Sequence, residues 1–249
     1  MILKFIKNRD FILFTIIFII LVAVGISNPN FVTLKSLSDV LTDTSILIIL
    51  ALSQMIVILI RAIDLSVASN LALSGMLISL LSQIYPDLPL IFFILLSCGI
   101  GTLLGLFNGL VIAVLKVPFI VTTLGTLSIY RGLIYFVSDG KQVYSHEFSD
   151  SFLSFIHVRF LSLTSLFWFA VCVFIIIYIL LNYTKFGRNI YALGGNPEAA
   201  KYIGINENRY IIAAYVLSGF FAGLCGYLWV ARYSVASTQI AIGFELTVI

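Results

Sequence analysis

Polar residues fall in short clusters along this chain, and long apolar runs lie between them. A helix that crosses a bilayer needs about 20 mostly apolar residues, because each adds about 1.5 Å against a hydrocarbon core of about 30 Å. Seven runs answer that description: 11–27, 43–61, 68–84, 89–115, 118–137, 164–182 and 210–231. Breakers separate them, among them Asn28-Pro29-Asn30, Tyr85-Pro86-Asp87-Leu88-Pro89 and Lys116-Val117-Pro118. The pattern predicts an all-α integral membrane protein, a polytopic helical bundle. No small-x-small cleavage site follows the first run and further spans come after it, so it reads as a signal anchor.

Composition agrees. Hydrophobic residues make up 61% of the 249 and charged ones only 10%, with a mean hydropathy of +1.14. Soluble domains carry about 25% charged residues, so the solvent of this chain is lipid. The net charge of +3 gives no basic face for nucleic acid. Cys98, Cys172 and Cys225 lie in apolar runs and read as small buried side chains. Starting with the N-terminus in the cytoplasm, one side collects Lys4, Lys7, Arg9, Arg61, Lys116, Lys185, Arg188, Lys201 and Arg209. The other receives Lys35, Lys141, Arg159 and Arg232, with Asp39, Asp43, Asp87, Asp139, Glu147 and Asp150. This asymmetry predicts a multi-pass protein of the plasma membrane with a cytoplasmic N-terminus. The stretch after Ser138 is then external and residues 183–209 are cytoplasmic.

Gly101, Gly105 and Gly109 recur every four residues, as do Ser218, Ala222 and Gly226 beside Gly219 and Gly223. Such spacing predicts close helix–helix packing. The closing Glu245-Leu246-Thr247-Val248-Ile249 reads as the start of another apolar segment and, with an odd span count, predicts a shortened chain.

Phosphate-loop, metalloprotease-helix and nucleophile-elbow motifs are absent from the sequence, so hydrolysis of ATP is expected on a partner chain. His146 and His157 read as solvated loop residues rather than metal ligands. Three stretches carry candidate chemistry. At 61–70, charge interrupts the apolar pattern. Either Asp64 caps a helix starting at Leu65 and Arg61 closes the previous one, or the segment is a broken helix facing a solute path through Asp64 and Ser66. In the fifth span, Thr122, Thr126 and Tyr130 share one helical stripe, with Arg131 beside it. They suit either a polar passage, or hydrogen bonds between helices with Arg131 snorkelling outward. Asn108 is a further polar candidate. In the cytoplasmic loop, Gly194-Gly195-Asn196-Pro197-Glu198-Ala199-Ala200 and Gly204 predict a two-turn helix held in a basic, Gly-hinged loop. Asn196 is its N-cap, Pro197 its first residue, and Gly204 its left-handed exit. Alone such a helix is unstable, so it needs a docking surface, and a partner protein is the preferred one.

Several of these residues resemble one family. Glu198-Ala199-Ala200 with Gly204 is similar to the E-A-A-x-x-x-G core of the coupling loop of binding-protein-dependent ABC importers. Ile63-Asp64-Leu65-Ser66-Val67 resembles the I-D-L-S-V signature of ribose-type sugar permeases. Residues 118–132 and 187–204 resemble two further motifs of those permeases. Residues 61–70, 138–141, His146-Glu147 and 226–230, with Ala62 and Ala68 where many members have Gly, are most similar to rhamnose-importer permeases. Leu3-Lys4-Phe5-Ile6 resembles autoinducer-2 importer permeases. The resemblance implies a permease domain spanning 1–249, with its C-terminal part missing from a bundle of about ten spans, and a coupling loop at 183–209. It implies a second permease subunit, an external sugar-binding protein and a cytoplasmic ATPase that carries ATP and Mg; no cofactor is expected on this chain. An ion-coupled carrier and a non-functional truncated paralogue are the competing readings.

Overall fold

The computed structural model describes residues 9–249. Lys4, Lys7 and the Leu3–Ile6 run lie outside the described residues. Eleven helices follow one another among them: α1 (Arg9–Ser27), α2 (Leu34–Leu59), α3 (Val67–Ile84), α4 (Leu90–Ala113), α5 (Phe119–Ser138), α6 (Asp150–His157), α7 (Ser165–Tyr183), α8 (Lys185–Gly195), α9 (Pro197–Tyr202), α10 (Glu207–Tyr233) and α11 (Phe244–Thr247). Six of them, α2, α3, α4, α5, α7 and α10, are long and apolar enough to cross a membrane, and α1 adds a shorter apolar stretch. Each of the seven expected runs falls on one of these helices. The fold is an all-α membrane bundle, as its pattern of runs predicts.

One boundary differs clearly. The second helix begins at Leu34, not near 43. Thr33 starts it, its Oγ1 accepting the Ser36 N–H at 3.3 Å. Lys35, Asp39 and Asp43 make those first turns look polar, yet they stand at one end of the bundle, where Asp43 meets Arg232 at 2.8 Å.

α3 and α10 form the centre of the bundle, with α4 laid along α10. The glycine spacing explains how closely. A Cβ on Gly101 would stand 2.3 Å from the Gly219 carbonyl oxygen, one on Gly105 2.2 Å from that of Tyr215, and one on Gly223 2.2 Å from that of Ser97. Only hydrogen fits at these crossings. Ser97 Oγ donates to the Gly223 carbonyl at 2.5 Å and Asn70 Nδ2 to that of Gly101 at 3.1 Å. α1 packs on the 29–32 turn and leaves Phe14, Phe18 and Ile19 exposed, a surface suited to lipid.

The bundle has two unlike ends. The basic end holds the connections 60–66 and 114–118 and the stretch 184–209. The opposite end is a folded cap. Its α6 lodges Phe152 among Phe93, Phe148 and Tyr227, with ring centroids 5.0–5.2 Å apart. A two-strand hairpin, β1 (Arg159–Phe160) and β2 (Leu163–Thr164), follows α6 with Arg159 opposite Thr164. Thr164 reaches Thr42 at 2.8 Å, tying the hairpin to α2. Residues 234–249 turn at Ser234, Ala241 and Gly243, all with positive φ, and form the short α11, on which Glu245, Leu246 and Thr247 of the expected apolar segment lie. Ala236 bridges Val143 in the cap. Of the cysteines, Cys98 and Cys225 are buried as expected, but Cys172 is exposed on the apolar face of α7.

Candidate functional site

The basic end is built on α8 and α9. Their sequence, rich in glycine, reads as a hinged loop, yet residues 185–195 form a helix. Gly187 and Gly194 serve close packing rather than hinging. A Cβ on Gly187 would overlap the Leu181 carbonyl, and one on Gly194 would stand 1.8 Å from that of Leu59. Helix α8 is thus pressed against the ends of both α7 and α2. After it α9 runs from Pro197 to Tyr202, with Asn196 Oδ1 accepting the Ala199 N–H at 3.1 Å and Gly204 leaving at φ +82°. Lys201 meets Glu207 at 3.0 Å. Of the expected loop residues, Ala200 packs inward, while Gly195, Asn196, Glu198 and Ala199 face outward beside Tyr202, which is 92% exposed, and Ile203, 73% exposed. Replacing Asn196 by Ala should cost about 1 kcal/mol locally. Amide exchange across α9 should then quicken while that of α3 and α10 stays unchanged. Unchanged exchange across α9 would contradict its cap.

Arg61 closes α2 through its backbone, its N–H donating to the Ile58 carbonyl at 2.9 Å while the Ala62 N–H donates to that of Val57 at 3.2 Å. Its backbone has φ 61°, which costs a non-glycine residue roughly 1 kcal/mol. Its side chain reaches away to α8, Nε donating to the Gly194 carbonyl and Nη2 to that of Gly195, both at 2.6 Å. These are the last carbonyls of α8, where helix geometry leaves acceptors open and a cation is favoured.

Three residues further, Asp64 is buried inside the bundle at 2% exposure. Oδ1 accepts the Ser66 N–H at 2.9 Å and the Ser66 hydroxyl at 2.6 Å; Oδ2 accepts Ser218 Oγ at 3.4 Å. Asn108 Nδ2 donates to Ser66 Oγ at 2.8 Å, and Tyr215 donates from α10 to the Ile63 carbonyl at 3.2 Å. The two expectations for this segment meet here. Asp64 does satisfy an amide just before α3, although α3 begins at Val67 and not at Leu65, and the segment is also a break that carries a carboxylate into the bundle. The described residues place no Lys or Arg within ion-pair distance of it.

The sequence marks Asp64 and Ser66 in one segment and Asn108 in another, and the fold brings the three together. Sequence reasoning missed Ser218 and Gln54. Ile46 of α2 lies against Cys225 of the antiparallel α10, and eight residues of helix are about 12 Å, which puts Gln54 at the depth of Ser218. The buried amide atoms of Gln54 and Oδ1 of Asn108 have no hydrogen-bond partner among the described residues. The signal for Gln54 was available: it is the single amide in an apolar run.

The α5 stripe is buried, as one face of a helix packed on α3 should be. Its hydroxyls are occupied: Thr122 donates to the Pro118 carbonyl at 3.2 Å, Thr126 to that of Thr122 at 3.1 Å, and Tyr130 to that of Leu104 on α4 at 2.9 Å. Arg131 stands apart from this stripe, its Nη1 donating to the Ile240 carbonyl of the opposite cap at 2.6 Å.

The geometry is that of a membrane bundle with a polar break at its core and an exposed helix pinned at one end. Comparison with known proteins agrees. Residues 36–249 match the family described as branched-chain amino acid transport system, permease component. The chain is 32% identical over 264 residues to the galactose/methyl galactoside import permease protein of Haemophilus influenzae, covering 98% of this chain and 79% of that one. It is 34% identical to the ribose import permease protein of the same organism, covering 98% and 75%. It is also 34% identical to the autoinducer 2 import system permease protein of Klebsiella pneumoniae, covering 98% and 70%. No solved structure matches the chain. The chain belongs to this family of transport-system permeases.

Proposed function

We propose that the chain is the membrane-spanning permease subunit of an ATP-driven importer for a sugar or sugar-like solute. The observation that carries this reading is α9, a short helix capped at both ends that turns Glu198, Ala199, Tyr202 and Ile203 outward at the basic end. In solution so short a helix would not hold, so its preformed state suits a docking element. A cytoplasmic ATPase bearing ATP and Mg grips it, the N-terminus lies on the same side, and an external binding protein delivers solute to the opposite cap. A second permease subunit completes the path. The relatives named for galactose, ribose and autoinducer 2 support a polyhydroxy solute. Gln54 and Asn108, buried with polar atoms in want of partners, are suited to its hydroxyls. Residues 61–70 favour a rhamnose-like sugar, with an autoinducer-2-like diol as the alternative.

The test is ATP-driven uptake of labelled rhamnose, ribose and galactose into vesicles carrying the full complex. Replacing Glu198 by Ala, or Gly204 by a residue that resists φ +82°, should lower uptake and ATPase stimulation roughly tenfold while leaving membrane insertion intact. Normal transport by both variants contradicts the role of α9. Asp64, buried and paired with no Lys or Arg among the described residues, favours an ion-coupled carrier as the second reading. Uptake that follows an ion gradient and ignores ATP would establish it.

A further inference from the structure

Resting on the reading of α9 as the place where the ATPase grips, we propose that Arg61 is the positioning residue that links that helix to the buried polar break. The link is short and continuous. Asn196, the N-cap of α9, follows Gly195 directly, and Gly194 and Gly195 give their carbonyls to the two arms of one guanidinium. A planar fork holding two acceptors resists both sliding and rotation, which a single hydrogen bond does not. From Arg61 the chain runs through Ala62 and Ile63 to Asp64, whose carboxylate holds Ser66 and Ser218. Ile63 is itself held by Tyr215. A displacement of α8 and α9 therefore pulls on the connection between α2 and α3 at its exposed end, and the other end of that connection is the polar cluster.

Three further features favour a link over a passive cap. Arg61 is exposed at the surface, so its guanidinium is not needed to fill the bundle. Its positive φ is a conformation that glycine adopts freely, so the backbone alone would be served by glycine at this position. Gly194 lies against the Leu59 carbonyl without room for a Cβ, which keeps α8 in register with the end of α2. The arrangement thus keeps an arginine where the backbone asks for glycine. The guanidinium is the reason.

That backbone preference supplies a clean variant. Arg61→Gly keeps the turn and removes only the fork, while Arg61→Lys keeps the charge without it. The experiment is amide hydrogen exchange of the full chain in lipid nanodiscs, read at residues 62–66 and in α9. Arg61→Gly should quicken exchange at 62–66 on the order of tenfold, with Arg61→Lys intermediate and α10 unchanged. The decisive readout is a double-variant cycle with Asn196→Ala. In the wild type, loosening the α9 cap should quicken exchange at 62–66 several-fold. In the Arg61→Gly background it should add nothing there. An equal effect of Asn196→Ala in both backgrounds, or exchange at 62–66 indifferent to Arg61→Gly, overturns the link. If Arg61→Gly does not insert, Arg61→Gln serves in its place. The cycle needs neither ATPase nor solute, so its failure is separate from a failure of the import reading, which shows in uptake.

Discussion

Leucine at Gly101 or Gly105 is expected to abolish the folded bundle. Between helices in lipid there is no hydrophobic drive, and association rests on backbone contact. At these two positions even a methyl carbon would stand 2.3 Å or 2.2 Å from a carbonyl oxygen of α10, with more backbone within 3.1 Å. Neither neighbour is a side chain that can swing away, so α4 would have to leave α10. Overpacking in a well-packed core costs about 1–3 kcal/mol, and a forced separation of two backbones costs more. Alanine sharpens the test because its sign depends on position. Gly99 has open space around its missing Cβ, so Gly99→Ala should leave stability equal or raise it by up to about 1 kcal/mol through helix propensity. Gly101→Ala and Gly105→Ala should lose stability despite the same gain. Thermal unfolding in detergent micelles, followed by size-exclusion chromatography, reads the difference. Equal midpoints for Gly99→Ala and Gly101→Ala would remove the α4–α10 crossing from the account.

The second large effect is expected at Asp64. Truncation to Ala leaves the Ser66 N–H without its acceptor, and the hydroxyls of Ser66 and Ser218 without the group that gathers them, all inside the bundle. A buried donor left unpaired costs about 1–3 kcal/mol, so Asp64→Ala should destabilise by about 2–4 kcal/mol. Asp64→Asn keeps an oxygen for Ser66 and gives Ser218 a donor to accept from. Its loss should stay below about 1 kcal/mol. Chemical unfolding in micelles separates these outcomes. Wild-type stability in Asp64→Ala would mean that the carboxylate does not hold the break together.

Much of this architecture is legible in the residues, and the parts that are not have physical causes. The spans follow from apolar run length, since a bilayer of set thickness imposes it. The cap of α9 is legible because Asn196, Pro197, Glu198 and Gly204 each act within a few residues of chain. The glycine rows on α4 and α10 are legible for the same reason, as a spacing. Helix α8 is not. Gly187, Gly194 and Gly195 lower helix propensity, and what holds residues 185–195 is contact with Leu181 and Leu59, which local sequence does not contain. The fork of Arg61 is hidden in the same way, because its acceptors lie more than 130 residues away. The polar cluster is half legible: its members are visible as polar residues in apolar runs, but only the fold shows that Asn108 and Ser218 meet at Asp64 and Ser66. Arg131 takes the outward-running alternative in the fold. Its place beside the hydroxyl stripe in sequence puts it near Tyr130, yet one step along a helix turns the side chain about 100° away, here toward Ile240.

The central claim is that α9 is the seat of an ATPase, and co-purification from native membranes tests it most directly. The chain, tagged, should bring a stoichiometric ATPase subunit with it. Tyr202→Glu, alone or with Ala199→Glu, alters outward-facing residues and should release that subunit while the permease still inserts and elutes as a single species. A chain that inserts stably and carries no ATPase, or one whose ATPase stays bound when both residues are changed, would contradict the account.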